Sequence, residues 1–189
     1  YATILGRWVD RGGSMPDYRR HWVPGGCYFF TVNLRDRRQG LLVAHIDFLR
    51  EAVRRVRASH PFEIDAWVVL PDHLHCIWTL PAGDDDYAMR WRLIKTIFSK
   101  ELPPRAGVAE SRLQPGEQGI WQRRYWEHTI RSEGDYRAHV DYIHFNPVKH
   151  GYVRRVADWP YSTFHRYVAN GILPHDWVGD VGELATAGE

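Results

Sequence analysis

Cysteine is scarce in this sequence: Cys27 and Cys76 are the two present in 189 residues, and both sit in apolar, strand-like stretches. That excludes a disulfide framework and a thiolate zinc site, and it fits a reducing compartment. Long hydrophobic runs are missing as well. Apolar stretches such as Ala66 to Leu70 fall far short of the ~20 residues that cross a bilayer, and no basic-then-apolar signal pattern opens the chain. A soluble, intracellular protein is expected. The third absence is a strong charge of one sign, since 25 Lys and Arg against 23 Asp and Glu leave a net +2. This is far from the strongly basic signature of a dedicated nucleic-acid binder.

What is present is apolar and aromatic. With 44% hydrophobic and 14% aromatic residues the chain is long enough to bury one core and short enough to be one domain. We expect a single domain over 1–189, with an N-terminal arm over about 1–20 and a less regular tail over about 152–189. Arginines come in pairs at Arg19-Arg20, Arg37-Arg38, Arg54-Arg55, Arg123-Arg124 and Arg154-Arg155, many beside aromatic residues as in "QRRYW". Such mixtures hold phosphates and stack unpaired bases, but arginine stems covering apolar surface produce the same pattern.

The organisation is regular. "GGCYFFTVNL" reads as a first strand after a Pro-Gly-Gly turn. "LLVAHIDFLREAVRRVRASH" is helical, with Ile46, Leu49, Val53 and Val56 on one stripe. "FEIDAWVVL" and "HLHCIWTL" form two strands around Pro71-Asp72, a hairpin. A helix follows from about Tyr87 to Leu102, where Asp84-Asp85-Asp86 reads as a cap rather than a metal cluster. Pro103 to Gly119 is a long loop, and "IWQRRYWEHTI" an extended segment. In "SEGDYRAHVDYIHFNP" Ser132 caps a helix that Pro147 ends at Asn146.

The chemistry concentrates in two of these segments. On a strand His73, His75, Ile77 and Thr79 share one face, while Leu74, Cys76, Trp78 and Leu80 share the other. Two imidazoles facing one way can bind one cation. Spacing alone is weak, because 11 histidines in 189 residues give about 0.6 His-x-His pairs by chance. Context strengthens it: two polar rings in an apolar strand cost desolvation unless something compensates them. On the last helix Tyr142 and Asn146 stand four residues apart on one face, which His139 shares. The apolar stripe there is Tyr136, Val140 and Ile143, so packing does not obviously require Tyr142.

Together these residues carry a family likeness. His-x-His on a strand, followed by Tyr-x-x-x-Asn on a helix, resembles the HUH single-tyrosine endonucleases. More specifically, "AWVVLPDHLHCIWTLP", "IWQRRYWEHTIR" and "HVDYIHFNPVKHG" are similar to the REP-associated tyrosine transposases, found beside bacterial repetitive extragenic palindromes. The likeness runs from about Tyr18 in "YRRHW", through "FFTVNLRDR", to "DWPYSTFHR" and "DWVGD", nearly the whole chain.

The resemblance implies an α+β, ferredoxin-like antiparallel sheet with helices packed on it. It implies Tyr142 as nucleophile and His73 and His75 as metal ligands. Asn146 stands where insertion-sequence relatives carry a glutamine as third ligand; an amide oxygen serves a hard cation in either residue. The cofactor would be Mg2+ or Mn2+, and the partner single-stranded DNA with a REP-type hairpin, cut through a 5′-phosphotyrosine in the bacterial cytoplasm. Free tyrosine has a pKa of about 10, and a metal-bound water or His139 is the candidate proton acceptor. Arg19, Arg20, Arg123 and Arg124 are candidate DNA contacts. Monomer and homodimer both stay open. So do two other functions: a metal phosphodiesterase that activates water, and a non-catalytic palindrome-binding protein.

Overall fold

The computed structural model of the chain describes residues 22–103 and 118–179. Four strands, β1 (Cys27–Asn33), β2 (Glu63–Val69), β3 (His73–Thr79) and β4 (Trp126–Thr129), pair antiparallel in the order β2-β3-β1-β4. A short α1 (Leu41–Ala44) and α2 (Ile46–Ser59) connect β1 to β2, and α3 (Tyr87–Glu101) connects β3 to β4. This is the α+β, ferredoxin-like arrangement. The helical stretch expected after β1 is broken at His45, which leaves helical geometry at φ −122° and ψ 39°. Leu70 N–H donates to the His73 carbonyl at 2.8 Å, closing the hairpin expected at Pro71-Asp72.

Alternation along the strands separates two cores. Tyr28, Phe30, Val32, Leu74, Cys76 and Trp78 pack under α2 and α3, while Phe29, Ala66, Val68 and Ile77 point to the opposite face. On the first face Trp78 stacks on Trp91 at 4.2 Å, and neither ring is exposed. At about 25 cal/mol per Å2 and about 200 Å2 per ring, each contributes on the order of 5 kcal/mol before ordering entropy is subtracted. The aspartate run caps α3 as expected, since Asp86 accepts from Met89 N–H at 2.8 Å. Asp84 does something further. It pairs at 2.7 Å with Arg90, whose buried guanidinium also donates to the Pro61 carbonyl at 2.7 Å and the Asp86 carbonyl at 3.0 Å.

The second face is covered by α4 (Glu133–Lys149), and Ser132 caps it by accepting from Asp135 N–H at 3.1 Å. The helix does not stop at Asn146: Pro147 lies inside it. Proline costs the bond its own nitrogen would donate and crowds the carbonyl four residues back, but here one short turn remains, and that turn is closed separately. His150 N–H donates to the Asn146 carbonyl, Gly151 N–H to Val148 and Tyr152 N–H to Pro147. Gly151 adopts φ +72°, the left-handed residue of this C-terminal motif. Behind α4 the chain returns through Trp159 and α5 (Phe164–Ala169), so α4 is sandwiched.

An added Cβ at Gly151 would meet nothing within 4 Å, so a substitution there reads out backbone strain alone. Gly151→Ala is expected to lower stability by about 1 kcal/mol in urea unfolding. An unchanged midpoint would mean that this turn does not secure the helix end.

Candidate active site between the sheet and α4

β3 aims His73 and His75 at α4, and both are nearly inaccessible, at 4% and 3% exposure. Their ring centroids lie 5.0 Å apart at 85°. Each ring is oriented through Nδ1. His73 Nδ1–H donates to the Asp72 carboxylate at 2.7 Å, and Arg37 donates to the other oxygen of that carboxylate. Thr31 lies opposite His75 in the β1–β3 register, and its Oγ1 is 2.8 Å from His75 Nδ1. The nitrogen left to bind a ligand on each ring is therefore Nε2. His75 Nε2 is buried and has no hydrogen-bond partner among the described residues.

The surroundings set the charge states of His75 and Asp72. Burial, with repulsion from the neighbouring His73, His150 and Lys149 side chains added, pushes His75 well below the ordinary imidazole value, so its ring is neutral. Burial opposes ionisation of Asp72, but hydrogen bonds from His73 and Arg37 outweigh it and hold the carboxyl well below its usual range.

On α4, Tyr142 sets its ring 5.1 Å from His75 and 6.0 Å from Phe29. Tyr142 is 4% exposed and packs with Val140, Ile143 and Trp159. It does belong to the core, contrary to the helical-stripe reading. A helix covered on both sides buries more than one stripe, which the spacing of Tyr136, Val140 and Ile143 does not reveal. One turn on, Asn146 is fully buried, and both its Oδ1 and its Nδ2 lack partners among the described residues. A buried amide in that state costs on the order of 1–3 kcal/mol per group. Two imidazole nitrogens and an amide oxygen suit a divalent cation, which would relieve the cost at Asn146 Oδ1.

Comparison with known proteins bears on this geometry. No family model matches the chain. A REP-associated tyrosine transposase of Escherichia coli (strain K12) is 54% identical over 175 residues, covering 93% of this chain and 98% of the relative. The chain belongs to the REP-associated tyrosine transposases. A Haemophilus influenzae relative, to which the same name is provisionally given, is 47% identical over 88% of this chain and 95% of its own. A solved structure of a REP-associated tyrosine transposase bound to a REP hairpin superposes with a TM-score of 0.80 at 54% identity, covering 93% of this chain and 98% of that one. Membership makes the chain a transposase, an enzyme of DNA strand cleavage and transfer.

The remaining predicted residues fall elsewhere on this transposase. His139 is buried one turn before Tyr142, with Nδ1 at 2.8 Å from the Asp135 carbonyl and its ring stacked on His128 at 4.8 Å. Phe29 touches the rings of both His139 and Tyr142. Arg123 and Arg124 are exposed in the segment leading into β4. Arg123 borders a cavity of about 390 Å3 that Arg92, Lys95, Trp121 and Tyr125 also line. Arg19 and Arg20 lie outside the described residues.

Four neighbours of the site escaped the sequence reading. Thr31 could be found only from the strand register, and Asp72 was read as part of a turn. Lys149 places its ammonium 4.8 Å over the Tyr142 ring, and His150 sits 5.2 Å from His73. Ending the helix at Asn146 hid this pair, because Lys149, two turns after Tyr142, returns to the Tyr142 face only if the helix runs nearly one turn past Asn146.

Replacing Thr31 with the isosteric valine removes the partner of His75 Nδ1 and little else. Thr31→Val is expected to weaken Mn2+ binding at least tenfold, followed by calorimetric titration, with the thermal midpoint nearly unmoved. Unchanged affinity would show that Thr31 does not orient a ligand.

Proposed function

We propose that this transposase cuts and rejoins single-stranded DNA beside REP-type hairpins, with Tyr142 as nucleophile. The observation that carries the proposal is the approach of the Tyr142 ring to within 5.1 Å of His75 in a pair of Nδ1-anchored imidazoles, with the partnerless buried amide of Asn146 one helical turn further along α4. A divalent cation, Mg2+ or Mn2+, held by His73, His75 and Asn146 supplies Lewis acidity at the scissile phosphate. The hairpin preference is supported by the relative solved with a REP hairpin.

The chain's own residues do the rest. The Tyr142 hydroxyl gives its proton to water and its oxygen attacks phosphorus, the bond to the 3′ oxygen breaks, and that oxygen takes up a proton and leaves as a free 3′-OH. DNA on the 3′ side of the cut stays joined to Tyr142 through its 5′-phosphate. Phosphoester energy is conserved, so attack by a 3′-OH reverses the step without ATP. Loss of the phenolic proton is favoured by the Lys149 ammonium over the ring. His139, expected as the proton acceptor, has its Nδ1 on Asp135 within α4 itself and takes no part in the step. Because Tyr142, His73 and His75 are each less than 5% exposed, a splayed, unpaired strand can approach them and a stacked duplex cannot.

Cleavage of a hairpin oligonucleotide with a single-stranded flank tests this. Tyr142→Phe is expected to reduce cutting by at least about 10³-fold while hairpin affinity stays within about twofold. His73→Ala and His75→Ala should each abolish metal-dependent cutting, and Asn146→Ala should weaken it less. Wild-type rates in Tyr142→Phe, or equal cutting of the same sequence as duplex, would contradict the proposal.

A further inference from the structure

A second set of metal-competent side chains lies at the β4–α4 junction and shares no residue with the site above. His128 comes from β4, and Asp135 and His139 stand four residues apart on α4, so both helical side chains face the strand. Their candidate ligand atoms all lie within 4.8 Å of one another. Asp135 Oδ1 is 3.1 Å from His128 Nε2 and 3.0 Å from His139 Nδ1, and the latter nitrogen also lies 2.8 Å from the Asp135 carbonyl oxygen. The two imidazoles stack at 4.8 Å and 14°, which aims them at the same carboxylate. That carboxylate is fixed independently of both rings, since Arg131 N–H donates to Oδ2 at 2.9 Å.

We propose that His128, Asp135 and His139 form a second, structural metal site for a zinc-class divalent ion. A tetrahedral ion with ligands at about 2.0 Å holds its donors about 3.3 Å apart. Two of the edges here are within a few tenths of an ångström of that, and the third, between the two ring nitrogens, is at most 4.8 Å and closes by ring rotation on binding. Two nitrogens and one oxygen select a borderline metal such as zinc over magnesium or calcium, which prefer all-oxygen sets. On binding, the ring nitrogens give up their contacts with Asp135 and present lone pairs to the ion. The fourth position is open to water. The ion would staple β4 to the first turns of α4, two turns before Tyr142, and Phe29 bridges the space between His139 and Tyr142. Its role is to position the helix, and it does not depend on the DNA chemistry proposed above.

The test is zinc content per chain after dialysis against a small zinc excess, read by elemental analysis. The wild type is expected to hold two ions, one in each site, and the His128→Gln and His139→Gln proteins one. The His73→Ala/His75→Ala double variant isolates the new site. It should retain one ion, show the visible absorption of a four-coordinate centre when loaded with cobalt, and gain thermal stability on zinc addition. Adding His128→Gln should remove all three. The proposal is overturned if the ion count is the same in wild type, His128→Gln and His139→Gln, or if the double variant, folded by circular dichroism, retains no zinc. Should the double variant not fold, the comparison of two ions with one in the single variants decides.

Discussion

The β1–β3 ladder is the constraint on which the rest depends. Its register sets Thr31 opposite His75 and Asn33 opposite His73, and it sends both imidazoles to the face that α2 and α3 leave uncovered. A slip of one residue would carry both rings into the tryptophan core and bring Leu74 and Cys76 to the site. The register is pinned from the other side of the sheet, where Phe30, Trp78 and Trp91 interlock. Aromatic packing on one face thereby fixes the chemistry on the other. The two imidazoles on that second face are tolerable in part because each has a partner at Nδ1.

Much of this was legible because strands and amphipathic helices leave periodic traces. The alternation in "HLHCIWTL" separated His73 and His75 from Leu74 and Cys76, and Ser132 and Asp86 marked two helix starts. Features that depend on long-range pairing left no such trace. Thr31 is 44 positions from His75 and acquires meaning only through the ladder. Tyr142 looked dispensable for packing because its second covering layer, around Trp159, comes from a segment with little periodicity. Pro147 is a local signal that misled: its usual effect holds for a helix interior, whereas one turn from the end the Gly151 motif keeps the helix intact to Lys149.

The arginine pairs divide in an instructive way. Arg54 and Arg55 share Glu51, Arg155 pairs with Asp158, and Arg37 supports Asp72 behind His73. The first two sets are exposed ion pairs that water and salt screen. Those arginines answer to helix surfaces, and Arg37 answers to the site. Arg123, beside a cavity lined by Lys95, Trp121 and Tyr125, keeps the basic-aromatic character suited to nucleic acid. A net charge of +2 is thus compatible with a DNA enzyme, because compensated charges hide a local basic surface.

The central claim is a covalent bond between one tyrosine and DNA, and mass spectrometry of the trapped adduct addresses it most directly. Trypsin releases Ala138 to Lys149, a peptide whose single tyrosine is Tyr142. After reaction with a hairpin oligonucleotide and nuclease trimming, this peptide should carry a nucleotide through its 5′-phosphate, on the DNA from the 3′ side of the cut. A nucleotide on any other peptide, or cut DNA bearing a free 5′-phosphate with no adduct at any time, would contradict the account.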